Sequence, residues 1–180
     1  SNLGSVYIEV GDIDKAYKCH IRRLDIAREM GDRQGEGIAL AQISSTYLKM
    51  PLSDSDSPSN IEWAIKNLEA ALKIFRETGN RSQEATALCN LGNIFYSKLD
   101  ETKCIEYYQQ AIDIQKEIGD VIGLATTSFN LAGIYLDLKQ FEKAEHYATT
   151  SSKIFLKIDN QSAYSRAQAR VDKIWLARRR

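Results

Sequence analysis

The feature that most constrains this chain is self-similarity. Gly79-Asn80, Gly119-Asp120 and Asp159-Asn160 recur every 40 residues. The pairs Leu91 and Leu131, Phe95 and Tyr135, Cys104 and Ala144, and Ile114 and Ile154 share that offset. Going backwards, Ile43 precedes Leu91 by 48 residues and Leu3 precedes Ile43 by 40. The 8 extra residues fall at 51–58, a polar stretch that holds both prolines of the chain. A period of this length marks stacked supersecondary units, each unable to bury its apolar face alone. The units fall at about 1–31, 32–79 (with the insertion 51–58), 80–119 and 120–159, leaving 160–180 over.

Each unit reads as two helices. In the third, Ala85, Leu88, Leu91, Gly92 and Phe95 recur at steps of three and four. After a break near Leu99-Asp100, Ile105, Tyr108, Ala111, Ile112 and Gln115 do the same. Gly31, Gly79 and Gly119 suit the left-handed residue just past a helix end. Asp32, Asn80, Asp120 and Asn160 follow, each able to cap the next helix. Asp12, Asn60 and Asp100 hold the corresponding place before the second helices. No segment alternates with the two-residue period of a strand. Small residues form two series: Gly4, Ser44, Gly92 and Ala132, then Ala16, Ala64, Cys104 and Ala144. They let paired helices approach closely, while Tyr7, Tyr47, Phe95 and Tyr135 fill the space between. Stacking such pairs removes apolar surface from water at roughly 25 cal/mol per Å².

These residues resemble the tetratricopeptide repeat (TPR). The pattern is Leu-Gly, an aromatic three residues after the Gly, and Ala nine residues further on. It stands as Leu3-Gly4 with Tyr7 and Ala16, Leu91-Gly92 with Phe95 and Cys104, and Leu131-Ala132 with Tyr135 and Ala144. A unit of 40 residues, against about 34 for the common repeat, is similar to the long-helix subclass. That subclass is found in Pins-type polarity adaptors, kinesin light chains and the sensor regions of bacterial regulators. Ile43-Ser44 departs from Leu-Gly, and the usual closing Pro is missing. The resemblance implies an all-α fold: a right-handed α-solenoid of antiparallel helix pairs with a C-terminal capping helix. Val171 and Trp175 sit 40 residues after Leu131 and Tyr135, so 161–180 reads either as a cap or as the first helix of a fifth repeat.

Composition narrows the function. Lys plus Arg number 24 and Asp plus Glu number 24, which argues against a nucleic-acid binder and gives no pull toward an anionic membrane surface. No run of 18 apolar residues exists to span a bilayer. Cys19, Cys89 and Cys104 form no CxxC pair, so neither a disulfide framework nor a zinc site is expected, and a reducing, cytoplasmic setting is the simplest reading. The two histidines, His20 and His146, lie on second helices of different units. No P-loop, GxGxxG, HExxH or nucleophile elbow occurs. Asp54 and Asp56 lack the Gly and Glu of a calcium loop. The expectation is a non-enzymatic protein without metal or cofactor. Its start at Ser1-Asn2, without Met, reads as an excised fragment in which those residues could be a tag remnant.

In a superhelix of hairpins the first helices line the concave side, and one face of each points into the groove. Just before the Leu of Leu-Gly stand Asn2, Gln42, Asn90 and Asn130. Asn is a poor mid-helix residue, whereas a carboxamide, as donor and acceptor, can clamp the backbone of an extended peptide of any sequence. The family resemblance implies the same use. The alternative is that these amides bond only to neighbouring helices. Three residues on come Ser5, Ser45, Asn93 and Gly133; then Ile8, Leu48, Tyr96 and Leu136; then Glu9, Lys49, Ser97 and Asp137. Ala41, Cys89 and Phe129 precede the ladder by one residue. The candidate peptide-binding residues are Asn90, Asn130, Gln42, Asn93, Tyr96, Phe129, Lys49 and Ser45, with Arg170 where the ladder would continue. Arg170 is either a cation at the groove's end or a solvated helix charge. The partner expected is a protein or peptide; the alternatives are the sensor region of a multidomain signalling protein, an enzyme, or a structural unit that self-associates end to end.

Overall fold

The computed structural model describes residues 3–50 and 59–179. Asn2 and the insertion 51–58, with Asp54 and Asp56, lie outside them. Among the described residues there are nine α-helices and no strand: α1 (Leu3–Glu9), α2 (Ile13–Glu29), α3 (Arg33–Tyr47), α4 (Asn60–Glu77), α5 (Arg81–Ser97), α6 (Glu101–Ile118), α7 (Val121–Asp137), α8 (Phe141–Lys157) and α9 (Gln161–Arg178). The chain divides into two compact units, Ser1–Ile94 and Phe95–Arg180.

Local chemistry sets the helix ends. Asp12, Asp32, Asp100, Asp120 and Asn160 each accept a hydrogen bond from the backbone N–H three residues on. Asn80 does the same for Gln83 at 3.1 Å. At α4 the expected cap, Asn60, is not the one used. Ser59 caps the helix in a reciprocal box with Glu62, while Asn60 is already helical and donates to the Met50 carbonyl. A serine and a glutamate three apart satisfy two backbone donors together, which a lone Asn one residue later cannot. Gly31, Gly79 and Gly119 have φ of 66°, 68° and 70°, as left-handed helix ends require. Leu99, Lys139 and Asp159 occupy the same region at 57°, 56° and 55° without being glycine.

In the first unit α1 packs on α2, α2 on α3, and α3 on α4. Its core includes Leu24, Ile43, Leu68, Phe75, Leu88 and Leu91. Gly4 lies under the His20 ring, so close that a Cβ would come within 2.3 Å of it. Tyr47 stacks on Trp63 with ring centroids 6.2 Å apart. Arg28 and Arg33 both pair with Glu36, and 48 residues later Arg76 and Arg81 pair with the buried Glu84. The same three-residue ion cluster thus recurs at successive joints between helices.

In the second unit α6 packs on α7, α7 on α8, and α8 on α9, with lighter contact of α7 to α9. Phe95 stacks on Tyr107 at 5.4 Å and Tyr135 on Tyr147 at 5.6 Å, with Lys103 and Lys143 over the first ring of each pair. Ala125, Phe155, Ala163 and Ala167 form a buried cluster against which Phe129, Ile154, Ile158 and Tyr164 pack. Ser44, Ala132, Ala16, Ala64, Cys104 and Ala144 of the two small-residue series are all buried, at 0% or 1% exposure. Larger side chains there would force the helices apart.

Candidate functional site

The second unit assembles a polar cluster on one face. α7 contributes Phe129, Asn130, Gly133 and Asp137, the last turn of α5 contributes Tyr96, and α9 contributes Arg170. Arg170 Nη1 donates to the Phe129 carbonyl at 2.6 Å, and the guanidinium carbon lies 3.7 Å from the centre of the Phe129 ring. Phe129 is in turn packed against the buried Ala125–Phe155 cluster, so the cation rests on a fixed aromatic floor. Gly133 makes the approach possible, because a Cβ there would meet Nη1 at 2.5 Å. The Tyr96 hydroxyl donates to Asp137 Oδ2 at 3.1 Å, which raises the tyrosine pKa. Burial lowers the Arg170 pKa, and the neighbouring Asp137 and Tyr96 offset only part of that. Arg170 is therefore half-buried rather than a solvated helix charge, and it makes no ion pair with a described residue.

Asn130, in the middle of α7, is half-buried, and its carboxamide makes no hydrogen bond among the described residues. Beside this cluster a cleft of about 690 Å³ is lined by Leu136, Phe141, Leu176 and Ala177, together with Asp137 and Lys173. Leu176 is 57% exposed.

The first unit presents Gln42 and Ser45 on α3, Lys49 just beyond it, and Asn90 and Asn93 on α5. Asn90 is half-buried with no side-chain hydrogen bond among the described residues; Asn93, Ser45 and Lys49 are exposed. Gln42 differs. Its carbonyl accepts from Arg23 Nη1 of α2 at 3.1 Å, so its amide is partly committed to a neighbouring helix. His20 is buried with Nε2 unpartnered, and burial, then Arg23, lowers its pKa against the opposing effect of Gln42. His146 is exposed on α8 against Tyr147. Burial and Asp100 push the Cys104 thiol up to about 12, an inert core sulfur.

The Tyr96–Asp137 bond, the Arg170–Phe129–Gly133 contact and the apolar cleft were not foreseen as a set. A signal for them exists. Tyr96 meets Asp137 and Phe129 meets Arg170, each 41 residues apart, one more than the repeat period. In this unit a residue on one first helix therefore faces position i+41 on the next.

A tetratricopeptide repeat model matches residues 98–157 and a second tetratricopeptide repeat model matches residues 1–34, just over half of the chain between them. The chain belongs to the tetratricopeptide repeat family. Over 145 residues this TPR chain is 21% identical to the 43 kDa receptor-associated protein of the synapse from Tetronarce californica, a match covering 79% of the chain and 33% of that protein. It superposes with a TM-score of 0.81 and 24% identity on a signal transduction ATPase with numerous domains, bearing a TPR sensor, from Pyrococcus horikoshii; 97% of this chain and 26% of that one are covered. The TPR-like repeats of a Podosopora anserina protein assigned as a kinesin light chain give 0.76 at 14% identity, covering 98% and 84%. The chain spans about a third of the synaptic relative and about a quarter of the archaeal one. At these identities the structural likeness speaks for the helix-pair solenoid fold. No helix among the described residues is long and apolar enough to cross a membrane.

Proposed function

We propose that this TPR chain is a non-enzymatic scaffold that binds a peptide segment through the carboxamides exposed on its first helices. The observation that carries the reading is the state of Asn90 and Asn130. Both stand in helix interiors where Asn is a poor residue, both are half-buried, and neither amide is used within the described fold. A half-buried amide with open donor and acceptor is suited to a peptide backbone, which offers the complementary groups at every residue. Asn93, Ser45 and Lys49 in the first unit, and Tyr96, Phe129 and Arg170 in the second, supply neighbouring contacts that read side chains. Gln42 contributes less, being held by Arg23. Three free cysteines fit a reducing compartment such as the cytoplasm. A second reading, a sensor region within a multidomain signalling protein, is favoured by the likeness to the archaeal ATPase with its TPR sensor.

The test is binding of the chain to an array of random dodecapeptides with amidated C-termini, comparing wild type with Asn90→Ala and Asn130→Ala. Each substitution is expected to weaken the bound peptides by about 0.5–1.5 kcal/mol regardless of their sequence. Capture of no peptide, or peptides bound equally by all three proteins, would remove the amides from the mechanism.

A further inference from the structure

The guanidinium of Arg170 is the least satisfied strong donor group in the second unit. It has five N–H donors. One is used, on the Phe129 carbonyl, whose oxygen already serves α7. No carboxylate of a described residue lies within ion-pair distance of it, although Asp137 is near enough to act on its charge. Asp137 is instead bonded to the Tyr96 hydroxyl. Helix and ring hold the guanidinium from one side: Phe129 beneath it, Gly133 cut back to admit it. This fixes the plane of the fork in advance, which a flexible surface arginine lacks. Independently, the cleft that shares Asp137 with this cluster is floored by Leu136, Phe141 and Leu176, and its volume of about 690 Å³ suits one or two large apolar side chains.

We propose that the second unit selects peptides in which a carboxylate, received by Arg170, stands close to a bulky apolar side chain that enters the Leu136–Phe141–Leu176 cleft. This rests on the peptide-binding reading above and adds the ligand's chemistry to it. The carboxylate pairs with the open edge of the fork, replacing water on a cation that its own fold leaves under-compensated. Asn130, one helical turn from Gly133 on α7, then takes the adjoining peptide backbone. Asp137, held by Tyr96, disfavours a second anion next to the first, so a run of acidic residues gains little over a single one.

The experiment uses two arrays of random dodecapeptides, one amidated and one with free C-termini, probed with wild type, Arg170→Gln, Arg170→Lys and Asn130→Ala. Circular dichroism melts of each variant accompany the binding data. Wild type should enrich peptides carrying Asp or Glu beside Leu, Ile, Phe or Trp. For the best such peptide, Arg170→Gln should weaken binding about tenfold or more, as loss of a charge-assisted bond does. Exchange of the peptide's acid for its amide should weaken wild type by a similar factor and Arg170→Gln hardly at all. Arg170→Lys should fall between, because it keeps the charge and loses the fork. Enrichment on the amidated array means a side-chain carboxylate; enrichment confined to free C-termini means a terminal one. Peptides that bind with no preference for acid, or that lose equally to Arg170→Gln whether acid or amide, overturn the assignment of Arg170. If Asn130→Ala still weakens those peptides, the scaffold reading survives that failure; if no peptide binds wild type, both fall.

Discussion

Asn130→Ala separates a carboxamide kept for a ligand from one that serves the fold. The residue sits in the middle of the 17-residue α7, half-buried, with no side-chain hydrogen bond among the described residues. Removing it breaks no internal polar contact. It also exchanges a weak helix former for the best one, a gain of roughly 0.5 kcal/mol. Asn130→Ala should therefore raise stability slightly, with a midpoint roughly 1–2 °C higher for a chain of this size. Asn160→Ala is the control. Asn160 Oδ1 accepts from the Ala163 N–H at 3.1 Å and caps α9, so its loss should cost about 1 kcal/mol. Urea unfolding followed by far-UV circular dichroism gives both numbers. Two asparagines should thus move stability in opposite directions. A loss of 1 kcal/mol or more from Asn130→Ala would mean the amide has a structural partner, and the reasoning that reserves it for a peptide would fail.

Other outcomes follow from the same geometry. Leu99→Gly should raise the melting midpoint by a few degrees, since Leu99 is 79% exposed, at φ 57°, and pays for a left-handed backbone that glycine adopts freely. Leu131→Ala, at a site with 0% exposure, should cost about 2–5 kcal/mol in urea unfolding. In native protein an aromatic disulfide reagent should modify the half-exposed Cys19 and Cys89, while Cys104, buried with its thiol pushed up to about 12, should react only after unfolding. His20 has a folded pKa below its ordinary value because burial disfavours the imidazolium and Arg23 adds to this. Its contribution to stability is present at neutral pH and is lost as pH falls through the ordinary histidine value toward the lower folded one. Melts at pH 7.5 and 5.5 should differ less for His20→Gln than for wild type.

Much of the fold was legible because repeats write the same packing several times. The Leu3, Ile43, Leu91 and Leu131 series, the small residues opposite it, and the Asp or Asn at each turn all declare one geometry. The one misplaced cap came where the insertion breaks the period, so that Ser59 with Glu62 outcompeted Asn60. The candidate site was legible only in part. Periodicity says which residue of each helix shares a face, and it correctly put Asn90 and Asn130 at half-buried positions. It does not say which side chains meet across helices. The Arg23 bond to Gln42 depends on a second helix, and the Arg170 perch depends on the absence of a Cβ at Gly133. Both contacts are steric facts between helices, visible in sequence only once the 41-residue facing offset is known.

The most direct test of the central idea is an ¹⁵N NMR titration that follows the side-chain NH₂ pairs of Asn90 and Asn130 while the tightest array peptide is added. Both pairs should shift with the same saturation as the backbone signals of the first helices. A peptide that saturates the protein while both pairs stay in place, with changes confined to α2, α4, α6 or α8, would contradict it.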